Sequence, residues 1–220
     1  MRGAAALWVV TFHAYPLVAL LLNWPERARV FVVRDGFLAV DLFFILSGFV
    51  LSYGHAERVQ TSVRGTYLSF LAGRVRRIFP LHWVCLGVVV LLVKSNPDHW
   101  WGPGPFSSSS LITSALLVQT WVPSTAQAWN HPAWSLSAEW LAYLVFPLLA
   151  FALGLITNRK LAFVGAILAL LMLEAFLLSI GSASLDHIGA GGIVRCLCEF
   201  VAGALIWKTL WAEGGAVQAN

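Results

Sequence analysis

Long apolar runs separated by short, cation-rich breaks dominate these 220 residues, and the runs set the expected elements. Runs at 3–22, 36–53, 135–156, 161–180 and 192–210 come close to the twenty residues a helix needs to cross a bilayer. The run at 80–93 is shorter, which predicts a helix that borrows part of the basic segment before it. A weaker helical run lies at 111–122. Between 100 and 110 the chain reads Trp-Trp-Gly-Pro-Gly-Pro-Phe and then four serines, the composition of irregular backbone at an interface. No internal repeat is evident and nothing marks a second, soluble unit. The pattern predicts an all-α fold, a polytopic transmembrane helix bundle forming one domain over 1–220.

Composition agrees. Hydrophobic residues make up 59% and charged residues 11%, where a soluble domain carries about a quarter charged. Eleven tryptophans suit the interfacial belts of a membrane protein. The net charge of +4 is distributed in small groups between the runs, which speaks against a nucleic-acid partner and for loops retained on one side of a membrane. Cys85, Cys196 and Cys198 lie in apolar segments and lack the spacing of a disulfide framework or a zinc site. The first run is long for the core of a signal peptide and no clear small-residue cleavage site follows, so it reads as a first span.

The cations also orient the spans. Segment 55–79 holds Arg58, Arg64, Arg74, Arg76 and Arg77 against Glu57 alone, and reads as a cytoplasmic loop. Arg2 then lies inside as well, 23–35 outside, and Arg159 with Lys160 inside. This requires two net crossings between Arg77 and Arg159, so 111–122 is expected to be re-entrant or a surface helix.

A few polar residues inside the runs carry the candidate chemistry. Arg2 and His13 are eleven apart, which returns a helix to within roughly 20° of its starting direction and separates the two by roughly 16 Å along the axis. With Arg2 at a membrane surface, His13 lies near the midplane, where an ionisable group is costly and marks function by default; the alternative is a packing histidine bonded to a neighbour. Asp41, on the outer half of its span, must be paired, with His13 or with an arginine such as Arg34. Ser135, Glu139 and Tyr143 recur at i, i+4 and i+8 and form one polar stripe. It reads as a reactive surface or as an interhelical hydrogen-bond cluster. Arg74 and Arg77 share a helix face. Glu174 is expected to face the bundle. Glycine-rich phosphate loops are absent, and His99, His131 and the remaining ligand-type residues show no metal-binding spacing, so no metal is expected.

Four passages together resemble the acyltransferase family 3 of bacterial membrane O-acyltransferases. They are the opening Arg2-x10-His13, "GFLAVDLFFILSGFVLS" with Asp41 and a Ser47-Gly48-Phe49 turn, "FLAGRVRRIFPLHW" with Arg74, Arg77 and Pro80, and "WSLSAEWLAYLVFP" with Glu139. Arg195 with Phe200 and Gly203 adds a fifth, weaker similarity. Members of that family have about ten helices and some residues ahead of the Arg-Gly, so the chain is expected to be a truncated domain. The resemblance implies transfer of an acyl group, acetyl in the simplest case, from cytoplasmic acyl-CoA as co-substrate, with no bound cofactor. The acceptor would be a hydroxyl of an envelope carbohydrate or lipid-linked molecule, and the location a multi-pass protein of the bacterial inner membrane among its lipids. It casts His13 as the base with Asp41 and Glu139 in support, and Arg74, Arg77 and Arg2 as the grip on the donor's phosphates. Ser135 and Tyr143 then hold the acceptor or serve the structure. A transporter of an acyl group or small solute, or an inactive fragment, are the competing readings, and formation of a covalent ester separates them.

Overall fold

The computed structural model describes residues 2–23, 35–61, 63–95, 106–122, 129–181 and 190–211. Among these the chain is helical, with no strand. The helices are α1 (Arg2–Leu21), α2 (Leu38–Thr61), α3 (Val63–Ser95), the short α4 (Ser108–Ala115), α5 (Trp134–Leu155), α6 (Arg159–Ser179) and α7 (Ala190–Trp211). Five of them, α1, α2, α3, α5 and α6, contain stretches long and apolar enough to cross a membrane. Helix α7 matches them in its 22 residues but carries Arg195, Glu199 and Lys208. The chain is a multi-pass membrane protein.

The apolar runs located the helices, and the basic segment is where expectation and structure differ. Residues 55–79 do not form a loop. Apart from residue 62, which lies outside the described residues, they are the last turns of α2 and the first turns of α3. Helix α3 has 33 residues and passes through Pro80 without ending, since one missing donor is tolerated where neighbouring helices re-satisfy the backbone. Hydropathy marks where lipid is met, not where the backbone stops being helical. The Ser47-Gly48-Phe49 passage likewise lies inside α2 and makes no turn.

Contacts that advance together in sequence show that α2, α5 and α7 run in one direction. Ser47 meets Glu139 and Gln60 donates to the Ala150 carbonyl at 2.6 Å. Arg195 donates to the Phe37 carbonyl at 3.1 Å, and Tyr53 meets the Trp211 ring at 5.6 Å. Helix α3 runs opposite to them, and so does α6, whose Arg159 donates to the Thr209 carbonyl at 2.7 Å. Between α2 and α5 there is therefore an odd number of crossings, α3 alone, and α4 with the turns after it is not a span. That segment descends along α3, where Phe106 and Leu111 pack with Leu86 and Val93, Ser114 meets His82 and Leu117 packs with Phe79, and returns beside α5. The reversal is made at Leu117, a buried residue at φ 56°. Irregular backbone survives at this depth because protein covers it. Ser107 caps α4, Gln119 donates to the Ala133 carbonyl, Thr120 bonds Ser137, and the Trp121 indole donates to the Ser137 carbonyl.

The core lies between α2, α5, α6 and α7 and includes Phe44, Phe146, Phe200 and Leu205. Helix α6 offers Ala162, Ala166, Ala169, Leu173 and Leu177 to it. Glu174, one step off that stripe, is exposed and does not face the bundle. Helices α2 and α7 touch backbone to backbone: a methyl group built on Gly48 would run into the Phe200 carbonyl, and one on Gly203 into that of Ile45. Small residues at such crossings give membrane helices their contact area. Gly48→Ala or Gly203→Ala must push the two helices apart, a cost of about 1–3 kcal/mol by analogy with overpacked cores. Each should lower the melting temperature of the detergent-solubilised protein. Gly87→Ala on α3 meets open space and should leave it unchanged or slightly raised.

Candidate functional site

Helices α1, α2, α3 and α5 enclose a cavity of about 860 Å³. Five of the eight residues expected at the site line it: Arg74, Arg77, Ser135, Glu139 and Tyr143. Their assembly follows from helix geometry. Arg74, Ile78, His82 and Cys85 share one face of α3, and Ser135, Glu139 and Tyr143 share one face of α5. Because α3 and α5 run in opposite directions, the two arginines reach the Tyr143 end of the α5 stripe.

Arg74 is not at the tip of a loop but inside the bundle. Its guanidinium carbon lies 5.4 Å from the Phe70 ring centroid and 5.9 Å from that of Tyr143. Its Nε is buried with no hydrogen-bond partner among the described residues. A guanidinium set over aromatic rings, with its Nε unpartnered among the described residues, is poised for an anion, and Arg77 adds a second fork one turn away. Simple anchoring by positive charge requires none of this placement.

Glu139 accepts a short hydrogen bond from the Ser47 hydroxyl, which also lies 3.4 Å from the Tyr143 hydroxyl. The stripe on α5 thus both ties α5 to α2 and faces the cavity. Ser47, seen in the sequence only as part of a Ser47-Gly48-Phe49 turn, is the α2 partner of that stripe.

Asp41 stands elsewhere. Its carboxylate pairs closely with Arg195 of α7, and does not orient His13. Arg195 is 1% exposed, reaches Glu199 at 3.7 Å, and lies 5.8 Å from the Trp134 ring. The alternative partner Arg34 falls outside the described residues. A guanidinium is the better neighbour because a carboxylate buried among helices needs a full countercharge, which a neutral imidazole lacks.

Helix α1 lines the cavity with Gly3, Ala6, Val9 and Val10. His13 is the next position on that stripe, four beyond Val9 and seven beyond Ala6. It is exposed, its ring lies 5.1 Å from that of Phe12, and it is not part of the lining. Gly36 packs directly on Phe12, so the middle of α1 is level with the start of α2. Measured against α2, His13 therefore lies toward one end of the bundle and not at its middle. Arg2 begins α1 beside Gly3, but its side chain lies outside the described residues.

His82 is a cavity residue that the sequence reading passed over. It is buried, its Nε2 lies 2.8 Å from the Ser114 carbonyl, and Nδ1 is 3.5 Å from the Asn130 side-chain nitrogen. The signal was available: a histidine eight residues beyond Arg74 on an apolar helix shares its face.

A family model described as an acyltransferase domain matches residues 1–215. Acyltransferase MdmB of Streptomyces mycarofaciens is 32% identical over 150 residues, 67% of this chain and 37% of that protein. Exopolysaccharide production protein ExoZ of Rhizobium meliloti is 28% identical over 183 residues, 81% of this chain and 52% of that protein. Protein 2 in the picA locus of Rhizobium radiobacter is 31% identical over 165 residues, 66% of this chain and 77% of that protein. The chain spans between about a third and a half of the length of the first two relatives. No solved structure matches it.

Proposed function

From the premise that the chain belongs to the acyltransferase family 3, we propose that it is an O-acyltransferase of the bacterial inner membrane. It takes an acyl group, acetyl in the simplest case, from cytoplasmic acyl-CoA to a hydroxyl of an envelope glycan or lipid-linked acceptor. The observation that carries this reading is the cavity's polarity: two guanidiniums at one end, a carboxylate and a phenol beside them, and apolar walls beyond. Diphosphate recognition needs the charged end, and the flexible arm that leads from it to the reacting centre needs the apolar walls beyond. That one relative is named for exopolysaccharide production supports a glycan acceptor.

In this mechanism Arg74 and Arg77, joined by Arg2, hold the donor's phosphates. His13 stands ten residues beyond Gly3 on α1, roughly 15 Å away, a span comparable to the arm between the diphosphate and sulfur of coenzyme A. The acceptor hydroxyl attacks the thioester carbonyl while His13 takes its proton. The tetrahedral intermediate expels the thiolate as the C–S bond breaks, and His13 returns the proton to sulfur. Glu139 and Tyr143, beside the guanidiniums, line the donor's path toward His13 and not the reacting oxygen. Asp41, occupied by Arg195, holds α2 to α7 and takes no part in the proton transfer.

The double change Arg74→Lys, Arg77→Lys tests the donor grip. It preserves charge, and so insertion and orientation, but removes the planar forks. A charged hydrogen bond is worth about 1.5–3 kcal/mol, so the acyl-CoA concentration needed for half-maximal transfer should rise several-fold or more. The acceptor requirement should hardly change. Unaltered donor dependence would return both arginines to anchoring alone.

A further inference from the structure

The cavity has a second polar end. His82 lies five residues beyond Arg77 on α3, about 8 Å along the axis, and there it meets Asn130, with Ser135 also on the cavity wall. None of these three carries a charge when the imidazole is neutral, in contrast to the guanidinium end. Resting on the acyltransferase reading, we infer that this end is the subsite for the hydroxyl-bearing acceptor and that His82 is its positioning residue.

The chemistry of His82 follows from its partners. A backbone carbonyl can only accept, so the nitrogen 2.8 Å from the Ser114 oxygen, Nε2, carries the proton. Nδ1 is then bare and accepts from the Asn130 amide nitrogen. That contact fixes which way the Asn130 amide points and leaves the rest of the amide to a sugar-type hydroxyl, which both donates and accepts. Ser114 belongs to α4 and Asn130 to the chain leading into α5, while His82 is on the long helix that carries both donor arginines. One imidazole thus ties α4 and that chain to the donor-binding helix and aligns the acceptor end with it. Both of its nitrogens are engaged in this task, so it holds the acceptor's neighbour and does not carry the reaction's proton.

Glutamine separates positioning from proton transfer, because its amide also offers one donor and one acceptor but does not titrate. In native membranes, with radiolabelled acetyl-CoA and an envelope glycan fraction as probes, His82→Ala should raise the acceptor concentration for half-maximal labelling by about tenfold. The acetyl-CoA requirement should stay within about twofold. His82→Gln should lie near the unaltered protein and keep its pH profile. Asn130→Ala, which leaves the Ser114 tie intact, should reproduce the acceptor defect, and it decides the matter if His82→Ala does not accumulate. Normal acceptor dependence in Asn130→Ala, or a His82→Gln protein as inactive as His82→Ala, would overturn the assignment. No labelled ester from the unaltered protein would overturn the acyltransferase reading beneath it.

Discussion

Replacing His13 by alanine should lower acyl transfer by about 10²–10⁴, the usual contribution of a positioned general base, while the amount of protein in the membrane stays the same. The two halves of this expectation rest on different observations. The loss of activity follows from the position of His13 on the α1 stripe that forms the cavity wall, at the far end from the guanidiniums. The unchanged abundance follows from its surroundings: the side chain is exposed and, among the described residues, its one ring neighbour is the adjacent Phe12. A histidine kept for packing would be buried and bonded, as His82 is. Quantitative ester formation alongside immunodetection of the membrane fraction checks both, and near-normal transfer by His13→Ala would end the base assignment.

Arg195→Met should produce the largest loss of stability. It strands the Asp41 and Glu199 carboxylates among helices without their cation, and breaking a buried pair from one side costs about 3–5 kcal/mol. Thermal unfolding in detergent should register that cost as a collapse of the folded fraction. Neutralising all three together, Arg195→Met with Asp41→Asn and Glu199→Gln, should recover most of it, because similar-sized uncharged groups need no countercharge. Acyl transfer by the recovered triple variant would show that the Asp41 carboxylate serves the fold. An inactive but well-folded triple variant would return Asp41 to the reacting centre. Equal stability of the single and triple variants would remove the electrostatic account.

The apolar runs made the helices legible because a membrane span must be both long and uninterrupted, and both properties are local. The re-entrant segment was legible through charge counting, since Arg77 and Arg159 could not share a side if 111–122 crossed. The helical character of the arginine-rich segments 55–61 and 63–79 was not, because a solvated helix and a solvated loop have the same composition. Arg195 was visible, but its bond to Asp41 joins residues 154 apart, and the choice among Arg34, His13 and Arg195 depends on which helices lie side by side. Of the cavity, the stripes on α3 and α5 could be read from spacing. His82 was overlooked because it was read as part of a motif instead of as a polar residue in an apolar helix.

The glycine contacts that press α2 against α7, together with the α5 and α6 packing, make one stiff body of four helices. Helix α1 belongs to it only loosely: of its described side chains Ala5 alone is buried, and its described close packing is Phe12 on Gly36. The cavity is thus a vice with one fixed jaw and one sliding jaw. The guanidiniums stand on α3, packed beside the fixed jaw, and the sliding jaw carries the imidazole. Local opening costs least where few contacts resist it, so the working distance between donor grip and base is set by how α1 rides on Ala5 and Phe12. Wear at those two bearings would change the reach of the machine while leaving every reactive group in place.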